Sequence, residues 1–365
     1  MIAMFHRARI VLRFLFPDHR GRAAVRHIKN SGLFDRAFYF ASNPRLRWVF
    51  RWAPERHYVL FGEPAGLCPN AAFSPRAYLH NNPDVTGQHA LLHFIQTGQA
   101  EGRVVLDLAP VPDLVLPDIR LHSVPVSPAP VAVVLHLFYH NLWDEFRDAL
   151  KQQSFPFDLF VTATGSFDEI APLRARILQT FPNAHIWAMP NHGRDIFPFL
   201  HVLQSGVLSG YAAVCKLHGK LSPHRADGAA WRAALTDGVM GAPQDTAARL
   251  AGFLTNPSLG LWVADGQICE GDDWWGINRQ RAEKILARMP DGALGDGPLR
   301  FPAGSVYWAK PQVLTALAAL QLTADDFERE QQLVDGTTAH AVERLMGHVT
   351  TQAGLQMCAS RCLDR

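Results

Sequence analysis

Residues 131–164 read VAVVLHLFYHNLWDEFRDALKQQSFPFDLFVTAT, and this stretch decides the fold. Its ends, 131–138 and 158–164, are short, almost unbroken apolar runs rich in β-branched and aromatic side chains, as a strand covered on both faces requires. Between them, Leu142 to about Gln152 has helical spacing. Strand, helix and strand in that order form a βαβ unit of a parallel sheet. Toward the C-terminus the alternation continues. A helix over FDEIAPLRARILQTF leads to a strand at 184–191, and a helix through PFLHVLQ leads to strands at 212–218 and 259–265. FPAGSVYWAKP at 301–311 reads as a sixth strand, and the last helix starts near Thr337. The fold class expected is α/β: a mostly parallel, Rossmann-type sheet with flanking helices.

Toward the N-terminus the pattern changes. Prolines recur through 104–130 too often for a helix or a central strand, so this stretch reads as an extended linker. Before it, Phe34, Tyr39, Asn43 and Pro44 return as Phe73, Tyr78, Asn82 and Pro83, offset by 39. His57, Tyr58 and Gly62 return as His93, Phe94 and Gly98, offset by 36, and each copy reads as a helical hairpin. The expected organisation is a basic segment over 1–30, a small α-helical repeat module over 31–103, the linker, and an α/β domain over 131–355.

Charge and cysteine usage narrow the function. Residues 1–56 hold 12 Lys/Arg against 3 Asp/Glu, net +9, so an overall charge of +2 leaves −7 for the rest. The apolar run RIVLRFLF at 9–16 is too short to span a bilayer, but Met1 to Phe16 suits contact with an anionic membrane surface. Five scattered cysteines without a CxxC pair exclude a zinc knuckle or dithiol redox site and fit a reducing, cytoplasmic compartment. The 17 histidines show neither HxH nor HExxH spacing, which argues against a metallohydrolase, and no nucleic-acid-reading motif accompanies the basic region.

In an open α/β sheet, ligands meet residues just past the carboxyl ends of the strands. After the third strand come Asn191, His192, Gly193, Arg194 and Asp195, and after the fourth come Lys216, His218 and Lys220. Cations gathered there suit a diphosphate. Gly304 and Ser305 offer a close backbone, and Tyr307, Trp308 and Trp275 offer flat faces for a sugar. Carboxylates follow at Glu330 and Asp335, before a helix carrying His340 and Glu343, and these suit a base that deprotonates an acceptor.

Four segments in this order, NHGRDIFPFL, YAAVCKLHGKLSPHRADGAAWR, FPAGSVYWAKP and DFEREQQLVDGTTAHAVERL, resemble the rhamnan synthesis protein F family. The resemblance implies a glycosyltransferase that moves a sugar such as rhamnose from a nucleotide-sugar donor to a growing or lipid-linked surface polysaccharide, O-antigen or rhamnan. The second N-terminal copy resembles a short repeat that accompanies bacterial polysaccharide glycosyltransferases. The strand order is similar to the GT-A nucleotide-sugar fold, where strand four normally ends in a metal-holding Asp-x-Asp. Here Lys216-Leu217-His218 stands in that place, so no cofactor and a metal-independent reaction are expected. The expected roles are Asp335, then Glu330, as base, with His218 as a further catalytic group. Arg194, Lys216, Lys220, Asn191, Gly193 and Asp195 are expected around the donor diphosphate, and Ser305, Tyr307, Trp308 and Trp275 at the acceptor. The alternative is a non-catalytic accessory or glycan-binding protein of the same pathway.

Overall fold

The computed structural model describes residues 14–107, 111, 114–119, 129–219, 227–289 and 292–364. Met1 to Arg13, most of the linker, and Lys220 lie outside them. The chain forms two compact units, 1–109 with 329–336, and 110–328 with 337–365.

The second unit is built on a seven-stranded sheet. Its strands are β1 (Val131–Leu137), β2 (Phe157–Thr164), β3 (His185–Met189), β4 (Ala213–His218), β5 (Leu259–Val263), β8 (Tyr307–Ala309) and β9 (Gln356–Ala359). A separate two-stranded ribbon pairs β6 (Ile268–Glu270) with β7 (Arg300–Pro302). The order in the sheet is β3-β2-β1-β4-β8-β5-β9, and only β8 runs antiparallel to its neighbours. The mostly parallel α/β class holds. The run at 301–311 is not one strand, however: a turn through Gly304 and Ser305 splits it between ribbon and sheet.

Period-two alternation sorts the strand residues between two cores. Val131, Val133, Leu135 and Leu137 pack with the helices Trp143–Lys151, Phe167–Thr180, Gly228–Met240 and Pro243–Thr255. Ala132, Val134, Phe160 and Val214 pack on the other face with Ile196–Gln204, Arg279–Leu286, Pro311–Ala318 and Thr338–Gln352. Local chemistry sets the helix ends. Ser166 and Glu169 form a reciprocal capping box, Ser166 N–H donating to Glu169 Oε2 at 2.7 Å and Glu169 N–H to Ser166 Oγ at 3.3 Å. Part of the expected linker belongs to the core: Ile119 is buried, and His201 Nε2 donates to the Pro117 carbonyl at 2.8 Å.

The first unit repeats one hydrogen-bond pattern. Tyr39 Oη stands 2.8 Å from His57 Nδ1, and Tyr78 Oη stands 2.8 Å from His93 Nδ1. Asn43 and Asn82 each turn their side-chain amide onto the carbonyl of the preceding tyrosine, at 2.9 and 2.8 Å. Gly62 and Gly98 make room for the two tyrosine hydroxyls, since a Cβ would come within 2.4 and 2.1 Å of them. Glu63 joins the copies. Its carboxylate accepts the Ala90 and Leu91 N–H groups at the start of the helix Ala90–His93, at 2.5 and 3.1 Å. The segment 329–336 belongs to this unit through Gln331, whose amide both donates to the Asp107 carbonyl and accepts its N–H, at 2.8 and 2.7 Å. Among the described residues, no helix is long and apolar enough to cross a membrane.

Candidate active site

The chain runs from β1 outward to β2 and β3, then returns to place β4 on the other side of β1. In open α/β sheets such a reversal, here between β1 and β4, marks the crevice at the carboxyl ends of the strands where ligands generally bind. His136 of β1 and His218 of β4 are paired in register there, and His136 is also paired with Thr162 of β2. All three are even-numbered, as is Lys216, so they share the face that carries the helix Ile196–Gln204.

Lys216 is 1% exposed. Its ammonium donates to Asp195 Oδ2 at 2.5 Å, to the Ser305 carbonyl at 2.9 Å and to Ser305 Oγ at 3.1 Å. Three acceptors match the three N–H donors of an ammonium. The rings of Phe199 and Tyr307 flank it at 5.7 and 5.8 Å. Asp195 is the N-cap residue of the helix Ile196–Gln204, yet its side chain makes no cap bond and turns to the lysine instead. His218 Nε2 donates to the Gly304 carbonyl at 2.7 Å and stands 3.7 Å from Asp195 Oδ2.

Backbone strain marks the same place. Four non-glycine residues among those described have positive φ, and two of them, Arg194 at 59° and Ser305 at 54°, hold the two ends of this network. Each follows a glycine that is itself left-handed, Gly193 at 59° and Gly304 at 85°. A Cβ on Gly193 would meet Phe197 at 2.4 Å, so only glycine fits that turn. Arg194, partly exposed, brings Nη1 to 3.3 Å from His340 Nε2. Glu343 accepts the Gly304 N–H at 2.8 Å. His136 Nδ1 stands 2.9 Å from Thr162 Oγ1, and full burial holds its ring neutral by lowering its pKa to about 3.

The structure therefore brings Arg194, Asp195, Lys216, His218 and Ser305 to one edge, with Gly193 and the exposed Asn191 on the loop leading in. Lys216 is not a surface cation reaching for phosphate, because its ammonium is enclosed in an ion pair. His218 does not present Nε2 as an acid, because a carbonyl acceptor holds its N–H. Tyr307 and Trp308 are 1% and 0% exposed, Trp308 stacking on Trp262 at 5.9 Å, and Trp275 is a core residue. None of the three has a ring face open to a sugar. Glu330 and Asp335 lie in the segment that belongs to the first unit. Among the described residues of the sheet unit, Asp195 and Glu343 bring carboxylates to this edge. His136 escaped the sequence reading as a site member, although a histidine inside the apolar run VAVVLHLF was a signal, while His340 and Glu343 were noted there only on the helix that follows Asp335.

Among the described residues, no group of three or more His, Cys, Asp or Glu side chains is placed to hold a metal ion. At the end of β4, Asp195 is already bonded to the Lys216 ammonium, and His218 Nε2 to the Gly304 carbonyl.

The chain is 33% identical over 222 residues to a protein described as uncharacterized protein WxcX, from Xanthomonas campestris pv. campestris strains B100 and ATCC 33913. The match covers 61% of this chain and 31% of the relatives, so the chain spans about a third of their length. A solved structure of the mannosyltransferase PcManGT from Pyrobaculum calidifontis, in complex with GDP-Man and Mn2+, is 14% identical, covering 73% of this chain and 61% of that one, with a TM-score of 0.34. That likeness is too loose to carry a ligand or a metal across. The model of the family described as rhamnan synthesis protein F matches residues 108–355, which include both strained turns and all the sheet strands but β9. The chain belongs to the rhamnan synthesis protein F family.

Proposed function

We propose that this chain is a glycosyltransferase of surface-polysaccharide assembly that takes its sugar from a nucleotide-activated donor in the β1–β4 crevice. Family membership supports the reaction class, and the observation that carries the site is the Asp195–Lys216–Ser305 network between two left-handed turns. The buried pair acts as a positioning device, fixing the Gly193–Arg194 and Gly304–Ser305 backbones toward the crevice. Asn191 and Arg194, with Lys220 four residues after Lys216 in the sequence, meet the donor diphosphate and neutralise its charge without a metal. The acceptor hydroxyl attacks the anomeric carbon, and the bond from that carbon to the phosphate oxygen breaks. The nucleoside diphosphate leaves with the electron pair, and a carboxylate takes the hydroxyl proton. Of the carboxylates that the sequence singles out, Asp335 and then Glu330 are the ones to test by substitution as that base. Rhamnose on a dTDP carrier is the first donor to test. A growing or lipid-linked glycan is the acceptor, and the enzyme works at the cytoplasmic face of the membrane.

The test incubates the full chain with a panel of nucleotide sugars and follows release of the nucleoside diphosphate. Turnover of one donor is expected, with kcat/KM falling on the order of a hundredfold in Arg194→Ala. One observation favours a second reading, an accessory protein with a degenerate site: the enclosure of Lys216. Calorimetry separates the two, because an accessory protein need not bind any nucleoside diphosphate. No turnover and no heat across the panel would reject the transferase.

A further inference from the structure

The first unit exposes an aromatic patch that its own fold does not explain. Among the described residues, the exposed large apolar side chains number eight, and four of them, Leu15, Phe16, Trp48 and Trp52, belong to one neighbourhood. Trp48 is 82% exposed and Phe16 is 76% exposed. Trp48 and Trp52 are one turn apart at the helix Trp48–Arg51, hence on the same side of it. Phe14 ties the two stretches together: it is buried, with its ring 5.0 Å from Phe50 and 5.4 Å from Trp52. The Arg56 guanidinium lies over both the Phe14 and Trp52 rings and donates to the Phe14 and Leu15 carbonyls at 3.2 and 3.4 Å. Leu15 and Phe16 are therefore pinned beside the tryptophans.

The surroundings are basic. Residues 14–56 hold nine Lys/Arg against three Asp/Glu. Arg20, Arg22, Arg45, Arg47 and Arg51 are all exposed. Of the three acids, Asp18 accepts the Gly21 N–H, Asp35 the Phe38 N–H, and Glu55 is paired with Arg36. Exposed tryptophans among arginines match the layered chemistry of a bilayer surface, where indole rings sit at headgroup depth and guanidinium groups meet phosphates. A water-facing protein partner with acidic side chains would satisfy the arginines but not the exposed indole of Trp48 and the half-exposed one of Trp52 beside Phe16.

We propose that Leu15, Phe16, Trp48 and Trp52, ringed by Arg47 and Arg51, form the surface by which this protein docks on an anionic lipid bilayer. The proposal rests on the membrane location given above and not on sugar transfer. The experiment omits donor and acceptor, so either reading can fail without the other.

The test measures co-sedimentation of the full chain with phosphatidylcholine vesicles and with vesicles containing phosphatidylglycerol, at low and high salt. Binding is expected on the anionic vesicles only and weakens as salt rises. Trp48→Ser lowers the partition coefficient roughly tenfold, and Arg47→Ala with Arg51→Ala lowers it on the order of twentyfold. Trp48 is the cleaner probe, because Trp52 also packs against Phe14; circular dichroism checks that each variant is folded. Brominated lipid quenches tryptophan fluorescence less in Trp48→Ser than in the parent. Equal binding to neutral and anionic vesicles would overturn the proposal, as would variants that bind like the parent. So would self-association without vesicles that disappears in Trp48→Ser, which would assign the patch to a second copy of the chain.

Discussion

Lys216 is an ammonium in the core, and the Asp195 carboxylate is bonded to it at 2.5 Å beside two neutral acceptors of Ser305. Removing the carboxylate takes from a buried charge the counter-ion bonded to it, so Asp195→Ala loses about 3–5 kcal/mol of stability. Adding Lys216→Met to it recovers much of that loss, because the charge goes with its partner. Denaturant unfolding of the four-member cycle checks this, and simple additivity would contradict it. His136 gives a second expectation. Burial lowers its pKa to about 3, against 6.5 for an ordinary histidine. The unfolded chain therefore takes up the proton first: stability is intact above pH 6.5 and falls as pH drops toward 3. At pH 5 the loss amounts to about 2 kcal/mol, and His136→Asn removes that part of the pH dependence of the unfolding midpoint. The polar members of this edge were legible because their neighbours Gly193 and Gly304 signalled turns at strand ends. The burial of Tyr307, Trp308 and Trp275 was not, since a two-residue period tells which side chains share a face but not whether helices cover both faces.

At the level of elements, the repeated tyrosine–histidine bond sets the spacing of each helical hairpin in the first unit. Gly98→Ala forces a methyl group to within 2.1 Å of Tyr78 Oη, and that hydroxyl is held by His93. It cannot swing away without losing the bond, so the variant loses about 1–3 kcal/mol. Thermal unfolding of Gly98→Ala checks this, and Gly62→Ala, opposed by Tyr39 Oη, is expected to behave alike. The offsets of 39 and 36 residues made this pattern readable, because both members of every pair survive in both copies. The strands β6, β7 and β9 were harder. Each is only three or four residues long, too short for periodicity to separate from loop. β9 completes the sheet only because the helix Thr338–Gln352 returns the chain beside β5.

For the molecule as a whole, the proposed donor site predicts that a nucleoside diphosphate stabilises the sheet unit by mass action. At a hundred times its Kd the gain is about 2.7 kcal/mol. Hydrogen exchange should slow in the carboxyl halves of β1 and β4 and in the turn at Gly304, while the Tyr39 and Tyr78 hairpins exchange as before. Protection spread evenly over both units would contradict binding of the nucleoside diphosphate at the sheet edge. The excursion at 329–336 has a consequence for dissection. The chain passes from one unit to the other at 109/110, again at 328/329, and back at 336/337. A protease that nicks the proline-rich stretch therefore yields two pieces on a denaturing gel but a single species on a sizing column. The Gln331 amide and Arg329, the latter 2.7 Å from Asp107, still hold the larger piece to the smaller.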